Sequence, residues 1–448
     1  MALIINTTLS PSAVRTIAAA DFQFDLVRTE VMMRVIMFRL MHRIGLVFIC
    51  LVLPVPHSNA QTGEEHWVVS WTAAPAPYIG LMMRPPESGL EALRGNGILN
   101  NQTIRMQVRT SIGGRQVRIR LSNLFGKTAL RIGAAHVALL PDRTDEPSEA
   151  SIISGTDRTL LFGGMPTASI PAGQSILSDP ADLAIPAMAS VAVSLYIPER
   201  SPDSTTHYAG RLAGVVSAPG DFSGKEAIHG ARFGTHLWVS SLDVLAPPDA
   251  GTVVVVSDDS TIVSYPAWPA ALARRMITNP ETAKVAVVTQ ADSGARFSFT
   301  DQGLGLTALE RFDRDVLGQA GVRWIVLAPF LPEILYSTRP ASPWKSVSVV
   351  DLAKVFEEIV KKSHRKGIKV IGCTVMPSSL PQNGEEQRLA VNNWIRTSGV
   401  FDDVIDLDKI TSDPAHPERL RQVYATGGTR TILADEIDLS LFAQPRQR

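Results

Sequence analysis

Apolar and polar residues alternate with a period of two over much of the first half of the chain. Residues 102–109 follow this pattern, and residues 117–122 repeat it after the pair Gly113-Gly114. The apolar positions are Ile104, Met106, Val108, Val117, Ile119 and Leu121, and the polar positions are Arg105, Gln107, Arg109, Arg118 and Arg120. This alternation predicts two strands with one buried face, joined as a β-hairpin at the glycine pair.

The same period returns in residues 190–197, and no long helical pattern interrupts the region. Frequent prolines and glycines separate the short strand-like segments. Residues 62–245 are therefore predicted to form an all-β sandwich or jelly roll. The arginine-bearing face of the hairpin is expected to be a solvated outer face, and an anionic glycan site is the alternative interpretation.

The pattern changes after a short linker at residues 246–251, which contains two prolines. Apolar runs of strand length then alternate with segments of helical period. The runs are 253–256, 285–288, 324–328, 368–371 and 404–407, and the helical segments are 266–277, 305–318, 348–366, 384–398 and 434–443. Such alternation predicts parallel strands joined by right-handed crossovers. Residues 252–446 are accordingly predicted to form an α/β domain around a doubly wound, five-stranded parallel sheet.

The stretch VVVVSDDST (253–261) ends the first of these strands and places Ser260 just beyond it. Ligand and catalytic sites of doubly wound sheets lie at the carboxyl ends of the strands. Ser260 is therefore the candidate nucleophile. A serine hydroxyl is a weak nucleophile at neutral pH unless a neighbouring base accepts its proton.

Composition excludes several classes of function. The chain has 43 Lys+Arg and 43 Asp+Glu, so its net charge gives no sign of a nucleic-acid partner. The two cysteines, Cys50 and Cys373, cannot build a disulfide framework or a zinc cluster. No cluster of His, Asp and Glu has the spacing of metal ligands, and no glycine-rich nucleotide loop is present. We expect neither a metal nor another cofactor.

The N-terminal region has the layout of a secretory signal peptide at residues 37–60. A short basic stretch precedes the apolar run 44–55, and Ser58-Asn59-Ala60 offers a small-x-small cleavage site. The apolar run is too short for a stable membrane span. We therefore predict a secreted or periplasmic protein after cleavage near Ala60, and we interpret residues 1–36 as an over-extended start.

The segment from about His66 to Phe442 resembles the SGNH hydrolases, also called GDSL-type esterases and lipases. The closest resemblance is to secreted members that carry an N-terminal β-sandwich, several of which deacylate carbohydrates. The stretches that carry it are IRMQVRTSIGGRQVRIRLSNLFG (104–126), LDVLAPPDAG (242–251), WPAALARRM (268–276), LERFDRDVLGQAGVRW (309–324), DPAHPERLRQVY (413–424) and ADEIDLSLF (434–442). The resemblance implies a flavodoxin-like, three-layer α/β/α arrangement for the second domain.

The first two sequence blocks of that family are partly retained. Asp258-Asp259-Ser260 matches the family's Gly-Asp-Ser, so the nucleophilic serine is retained and Asp258 replaces the glycine. A side chain at position 258 crowds the tight turn and adds negative charge beside an anionic transition state. In the second block Ala291 replaces the glycine whose N–H helps to hold the oxyanion. Alanine keeps its N–H, so the resemblance implies oxyanion donors at Ser260 and Ala291.

The other two blocks are degraded. Pro332 stands where the family has an asparagine that donates to the oxyanion, and proline offers neither a side-chain donor nor an N–H. The family's Asp-x-x-His block, which supplies the base and its carboxylate, is deleted between Tyr424 and the final segment 434–442. No histidine follows His416. A literal match, Asp413-x-x-His416, lies in the segment that precedes this block. His416 is therefore either a surface histidine or a substitute base.

The sequence thus predicts an SGNH-type ester hydrolase homologue, related to carbohydrate acyl-esterases, whose catalysis is impaired or absent. Two alternatives stay open: a slow serine esterase that uses Ser260 with the dyad Asp413 and His416, and a glycan-binding or scaffold pseudoenzyme. An acylated carbohydrate or polysaccharide is the expected partner.

Overall fold

Two kinds of β-sheet follow one another along the chain, antiparallel sheets before residue 247 and a parallel sheet after it. The computed structural model describes residues 64–77, 99–141, 151–208, 214–257, 267–291, 297, 306–329, 347–425 and 432–443. None of the helices in these ranges is both long enough and apolar enough to cross a membrane. The signal-peptide segment 37–60 and the segment 1–36 lie outside them.

The antiparallel strands in the described ranges form four sheets. The four-stranded sheet has the order β1 (His66–Thr72), β15 (Val239–Ala246), β4 (Val117–Ser122) and β9 (Ser175–Leu177). The six-stranded sheet has the order β13 (Gly230–Phe233), β12 (Gly214–Pro219), β3 (Gln102–Arg109), β10 (Ser190–Ile197), β6 (Ala134–Leu139) and β7 (Arg158–Thr159). A three-stranded sheet contains β14 (Thr235–Leu237), β11 (Thr205–Tyr208) and β2 (Ala76–Pro77), and a two-stranded sheet pairs β5 (Leu130–Ile132) with β8 (Ala168–Ile170).

One apolar core joins these sheets. The alternating apolar positions of β3 and β4 all contribute to it, as the sequence pattern predicts, and none is more than 2% exposed. These positions are Ile104, Met106, Val108, Val117, Ile119 and Leu121. Burial of aliphatic side chains of this size stabilises a fold by about 1.5–3 kcal/mol each, so this face is a main source of stability for the region.

The predicted hairpin between β3 and β4 is wrong. Strand β3 pairs with β10 and β12, whereas β4 pairs with β15 and β9 in a different sheet. The connection 110–116 crosses between the sheets, and its backbone bonds to other segments, including a bond from the Gly114 N–H to the Ile185 carbonyl. A Cβ on Gly114 would lie 2.6 Å from the Leu245 carbonyl oxygen, so the glycine pair allows a close crossing and does not form a hairpin turn.

The expectation of a solvated arginine face fails at Arg105, which is 1% exposed. Its Nε donates to Ser194 Oγ at 2.8 Å, and its Nη atoms donate to the carbonyls of Ser223, Lys225 and Glu226. The segment 222–226 therefore covers this part of the outer face. Burial lowers the pKa of the Arg105 guanidinium to about 10, although the negative charge of Asp157 opposes that shift.

The parallel sheet has the order β17 (Val285–Ala291), β16 (Gly251–Ser257), β18 (Val322–Leu327), β19 (Lys369–Cys373) and β20 (Asp403–Ile405). In chain order this is 2-1-3-4-5, the flavodoxin-like arrangement. All five strands overlap the predicted apolar runs. The α-helices are α1 (Trp268–Thr278), α2 (Ala308–Asp315), α3 (Val349–His364), α4 (Gln382–Thr397), α5 (Leu407–Thr411) and α6 (Gln422–Ala425).

Apolar cores lie on both faces of this sheet. Successive valines of β16 alternate between them, with Val254 and Val256 on one side and Val253 and Val255 on the other. Helices α2, α3 and α4 pack on the first side, and α1 packs on the second. Because both faces are covered, β16 is buried along its whole length, which explains its unbroken run of valines.

The predicted final helix at 434–443 is instead two 3₁₀ turns, Ile432–Glu436 and Leu439–Phe442. Asp438 separates them in an extended conformation, with its carboxylate accepting from the Ser440 N–H and hydroxyl. This local capping competes with a continuous helix. The buried Leu433, Leu439 and Phe442 still pack on the same side of the sheet as α1.

Hydroxyl groups of the antiparallel region contact the parallel sheet directly. Ser111 Oγ accepts the Val287 N–H at 2.8 Å, and Thr72 Oγ1 donates to the Thr289 carbonyl at 2.8 Å. Both contacts lie on β17, an edge strand of the parallel sheet. Residues 247–250 between β15 and β16 form a short turn closed by the Ala250 N–H and the Pro247 carbonyl.

Candidate functional site

The carboxyl ends of the parallel strands define the edge at which a doubly wound sheet binds its ligands. The strands end at Ser257, Ala291, Leu327, Cys373 and Ile405. Helix α1, the first described helix after β16, packs on one face of the sheet, whereas α3, the first described helix after β18, packs on the other face. The switch point of the topology therefore lies beside β16.

Ala291 is brought to this edge. It is the last residue of β17, is fully buried, and pairs with Ser257, the last residue of β16. Ser260 follows Ser257 by three positions in sequence. Ser260, Asp258 and Pro332 lie outside the described residues, so their roles stay predictions.

Asp413 and His416 lie in the loop that follows α5. The Asp413 carboxylate accepts the backbone N–H groups of Ala415 and His416, which is an Asx-type turn. The His416 imidazole is 60% exposed, and its Nδ1 lies 3.7 Å from Glu418. Among the described residues, Asp413 thus binds backbone and is not seen to orient the imidazole.

Sequence reasoning missed a buried polar cluster at the end of β17. Gln290, adjacent to Ala291, is fully buried, and within the described chain neither atom of its side-chain amide has a hydrogen-bond partner. Arg311 on α2 is 2% exposed, and its Nη2 reaches the Gln290 carbonyl at 3.4 Å. The sequence signal was the spacing of Arg311 and Asp315, four apart on the helix face that also carries Phe312.

A second network that sequence reasoning missed lies at the ends of β19 and β20. Arg396 binds Asp406 through two hydrogen bonds of 2.7 and 2.8 Å and also contacts Asp408. Arg388 joins Asp408 to Glu385 and to the Val375 carbonyl. These contacts fix the segment after β19 at the carboxyl edge.

The two aspartates of this network are stabilised as anions. Burial alone would raise the pKa of Asp406, but hydrogen bonds from Arg396, the Lys409 N–H and Thr374 lower it overall. The pKa of Asp408 is likewise lowered, because hydrogen bonds and charges of Arg396 and Arg388 outweigh its burial. Such fully paired carboxylates are poor proton acceptors, so the network is better suited to holding the edge than to acid–base chemistry.

Neither thiol chemistry nor a metal centre is indicated in the described ranges. Cys373 is buried at the end of β19, and burial raises the pKa of its thiol far above the usual range. A thiol of this kind is inert as a nucleophile. No group of three or more metal-ligating side chains occurs among the described residues.

No protein-family model matches the chain, and no curated protein is significantly similar to it in sequence. The solved structures to which the chain is similar include G-D-S-L-type and carbohydrate esterases. A GDSL-like lipase from Bacteroides thetaiotaomicron has 13% identity and a TM-score of 0.29, over 41% of this chain and 83% of its own. A carbohydrate acetylesterase from Sinorhizobium meliloti has 12% identity and a TM-score of 0.31, over 41% of this chain and 94% of its own.

A carbohydrate esterase family 2 enzyme from Corynascus thermopiles, which carries a carbohydrate-binding domain, covers more of the chain. It has 11% identity and a TM-score of 0.31, over 75% of this chain and 93% of its own. At such identities and scores, these similarities do not by themselves assign a function.

Proposed function

We propose that this protein is an exported SGNH-type ester hydrolase homologue, directed at acylated carbohydrates, whose hydrolysis is severely impaired. The proposal includes a β-sandwich domain at residues 62–245 and an α/β/α domain at residues 252–446. It rests first on the sequence blocks around Ser260 and Ala291. The observation that carries it is the pairing of Ser257 with Ala291, because it supports a nucleophile position and an oxyanion position on adjacent strand ends.

Impairment is proposed because one part of the catalytic machinery is replaced and another is deleted. Pro332 offers no oxyanion donor, and loss of one such donor typically reduces turnover by about 10²–10³. Loss of a triad base reduces turnover by about 10⁴–10⁶, and effects within one site are not additive. The exposure of His416 and the backbone contacts of Asp413 argue against a substitute dyad.

The test is hydrolysis of an activated acetyl ester by the purified protein. We expect a rate close to that of buffer, and nearly the same rate for Ser260→Ala, since a serine without a base contributes little. Pro332→Asn should not restore turnover, because the proton acceptor would still be missing.

Two histidine variants separate this proposal from the slow-esterase alternative. His416→Ala should have no effect, and His364→Ala serves as a matched control because it is also an exposed histidine beside a carboxylate, Asp402. Clear turnover that is lost in both Ser260→Ala and His416→Ala, but kept in His364→Ala, would refute impairment. A pH dependence near the usual histidine pKa of about 6.5 would then identify His416 as the base.

A further inference from the structure

The cluster at the end of β17 combines a buried cation with unpaired hydrogen-bonding groups. Arg311 and Gln290 are 2% and 0% exposed. In the described part of the chain, four of their polar atoms have no hydrogen-bond partner, namely Nε and Nη1 of Arg311 and Oε1 and Nε2 of Gln290. Buried polar groups in folded proteins are nearly always paired, and a concentration of exceptions in one place calls for an explanation.

The charge of Arg311 is only weakly compensated. Among the described residues, the carboxylate paired with Arg311 is that of Asp315, and its distance of 3.7 Å from Nη1 is too long for a hydrogen bond. Both carboxylate oxygens of Asp315 instead accept from Arg314, at 2.6 and 2.8 Å. These three residues together therefore carry one surplus positive charge, and of their two guanidinium groups that of Arg311 is the buried one.

Another buried arginine has hydrogen-bond partners that offset the free-energy cost of burying its charge. Arg105 is also almost fully buried, yet its guanidinium donates to one hydroxyl and three carbonyl oxygens. Within the described ranges, Arg311 makes one hydrogen bond, of 3.4 Å, from Nη2 to the Gln290 carbonyl. The donors of Arg105 therefore stabilise the fold, whereas the unpaired donors of Arg311 can bind a ligand.

We propose that Arg311 and Gln290 form a binding site for a small monovalent carboxylate beside the carboxyl end of β17. A monovalent anion matches the single surplus charge. Guanidinium and amide N–H groups are directional donors, and hydrogen bonds from an arginine to a carboxylate are strengthened by the opposite charges. Both side chains are almost completely buried, which favours a ligand of few heavy atoms. The proposal does not depend on hydrolysis by Ser260, because the carboxylate can be supplied directly.

The experiment is thermal unfolding and titration calorimetry of the purified protein with acetate, with chloride at equal ionic strength as the reference. Acetate should raise the melting temperature saturably, by on the order of 2 °C at tenfold excess over its dissociation constant. Gln290→Leu should weaken acetate binding about tenfold, because one donor is lost. Absence of an acetate effect, or an equal effect of chloride, would overturn the proposal.

Arg311→Met provides the sharper comparison, with Arg105→Met as its matched control. Arg311→Met should abolish the acetate response and melt at or above the temperature of the wild type without acetate, because it removes an unpaired buried charge. Arg105→Met should melt lower and keep the acetate response, because it removes a fully bonded guanidinium. If Arg311→Met melts as low as Arg105→Met or fails to fold, Arg311 is a structural residue and the binding site is refuted.

Discussion

Three of the arginines that the structure describes are almost completely buried, and each has a different environment. Arg105 is bonded mainly to backbone carbonyls, Arg388 is bonded to the carboxylates of Glu385 and Asp408, and Arg311 has few partners. Breaking a buried, fully paired charge is strongly destabilising, whereas removing a poorly paired one can be neutral or stabilising. The partners therefore decide what each arginine contributes to stability, and burial alone does not.

Ile119 tests which face of β4 is inside. Its side chain is fully buried in the core of the antiparallel sheets, so Ile119→Asp should bury an unpaired charge and unfold this region. Ile119→Val is the conservative control and should cost only about 0.5–1.5 kcal/mol. Circular dichroism during thermal melting distinguishes them. An Ile119→Asp protein that melts like the wild type would show that the burial assignment is wrong.

At the residue scale, the sequence predicted which apolar side chains are buried but not what lies over the polar ones. Alternation identified Ile104 and Ile119 correctly, because a strand has only two faces. It could not reveal that segment 222–226 covers Arg105, since that contact joins residues far apart in the chain. For the same reason the cluster of Gln290 and Arg311 was not foreseen.

At the scale of elements, periodicity predicted strands well and their neighbours poorly. The five parallel strands were found because burial on both faces makes their sequences continuously apolar. The pairing of β3 with β4 was wrong because an alternating pattern fixes the buried face of a strand but not its partner. The glycine pair at 113–114 resembled a hairpin turn, whereas close approach to the Ile185 and Leu245 carbonyls is what requires it.

Ser111 protects the outer edge of β17. Its hydroxyl accepts the Val287 N–H, so Ser111→Ala should leave that N–H unpaired and cost about 1–3 kcal/mol. Amide exchange of Val287 should then accelerate by about 5- to 150-fold if it follows this destabilisation. Ser178→Ala is the matched control, because that hydroxyl accepts the Ile119 N–H elsewhere. Equal exchange at Val287 in both variants would refute the role of Ser111.

The network at the ends of β19 and β20 should make stability depend on acidic pH. The pKa values of Asp406 and Asp408 are lowered in the folded protein, so their contribution is present above the unfolded value of about 3.9 and is lost as pH falls below it. Arg396→Met should lose about 1 kcal/mol at pH 7, a value discounted because Arg396 is a third exposed.

Denaturant titrations between pH 7 and pH 2.5 measure this effect. The wild type should lose more unfolding free energy below about pH 4 than Arg396→Met does. Arg419→Met removes an exposed pair with Glu418 and should leave the pH dependence unchanged. Parallel pH profiles for the wild type and Arg396→Met would contradict the assignment.

At the scale of the whole molecule, the antiparallel region and the parallel sheet are in close contact. Val69 on β1 packs in the same core as α2 and α3, and the Thr252 hydroxyl donates to the Val69 carbonyl at 2.9 Å. The division into two domains was predicted from a change in sequence period. The short linker at 246–251 predicts close packing of the two regions, but not that Val69 takes part in it, because Val69 looks like any other alternating strand residue.

Export is the prediction that concerns the entire chain. The basic stretch, apolar run and small residues at 37–60 predict a mature protein that begins at or near Gln61. Expression in an exporting host, followed by N-terminal sequencing of the periplasmic or secreted material, provides the measurement. A cytoplasmic product that retains Met1 would count against it.

The pairing of His66 with Ala246 has a consequence for the newborn chain. Strand β1 leaves the ribosome first among the described strands, but its partner β15 follows only after nearly all of the antiparallel region has been synthesised. Contacts between such distant residues form slowly, because the chain loses conformational entropy on closing the long loop before packing compensates for that loss. During that interval the apolar strands stay exposed to one another and to other chains. We therefore expect the growing chain to be prone to aggregation until the last antiparallel strand has been synthesised.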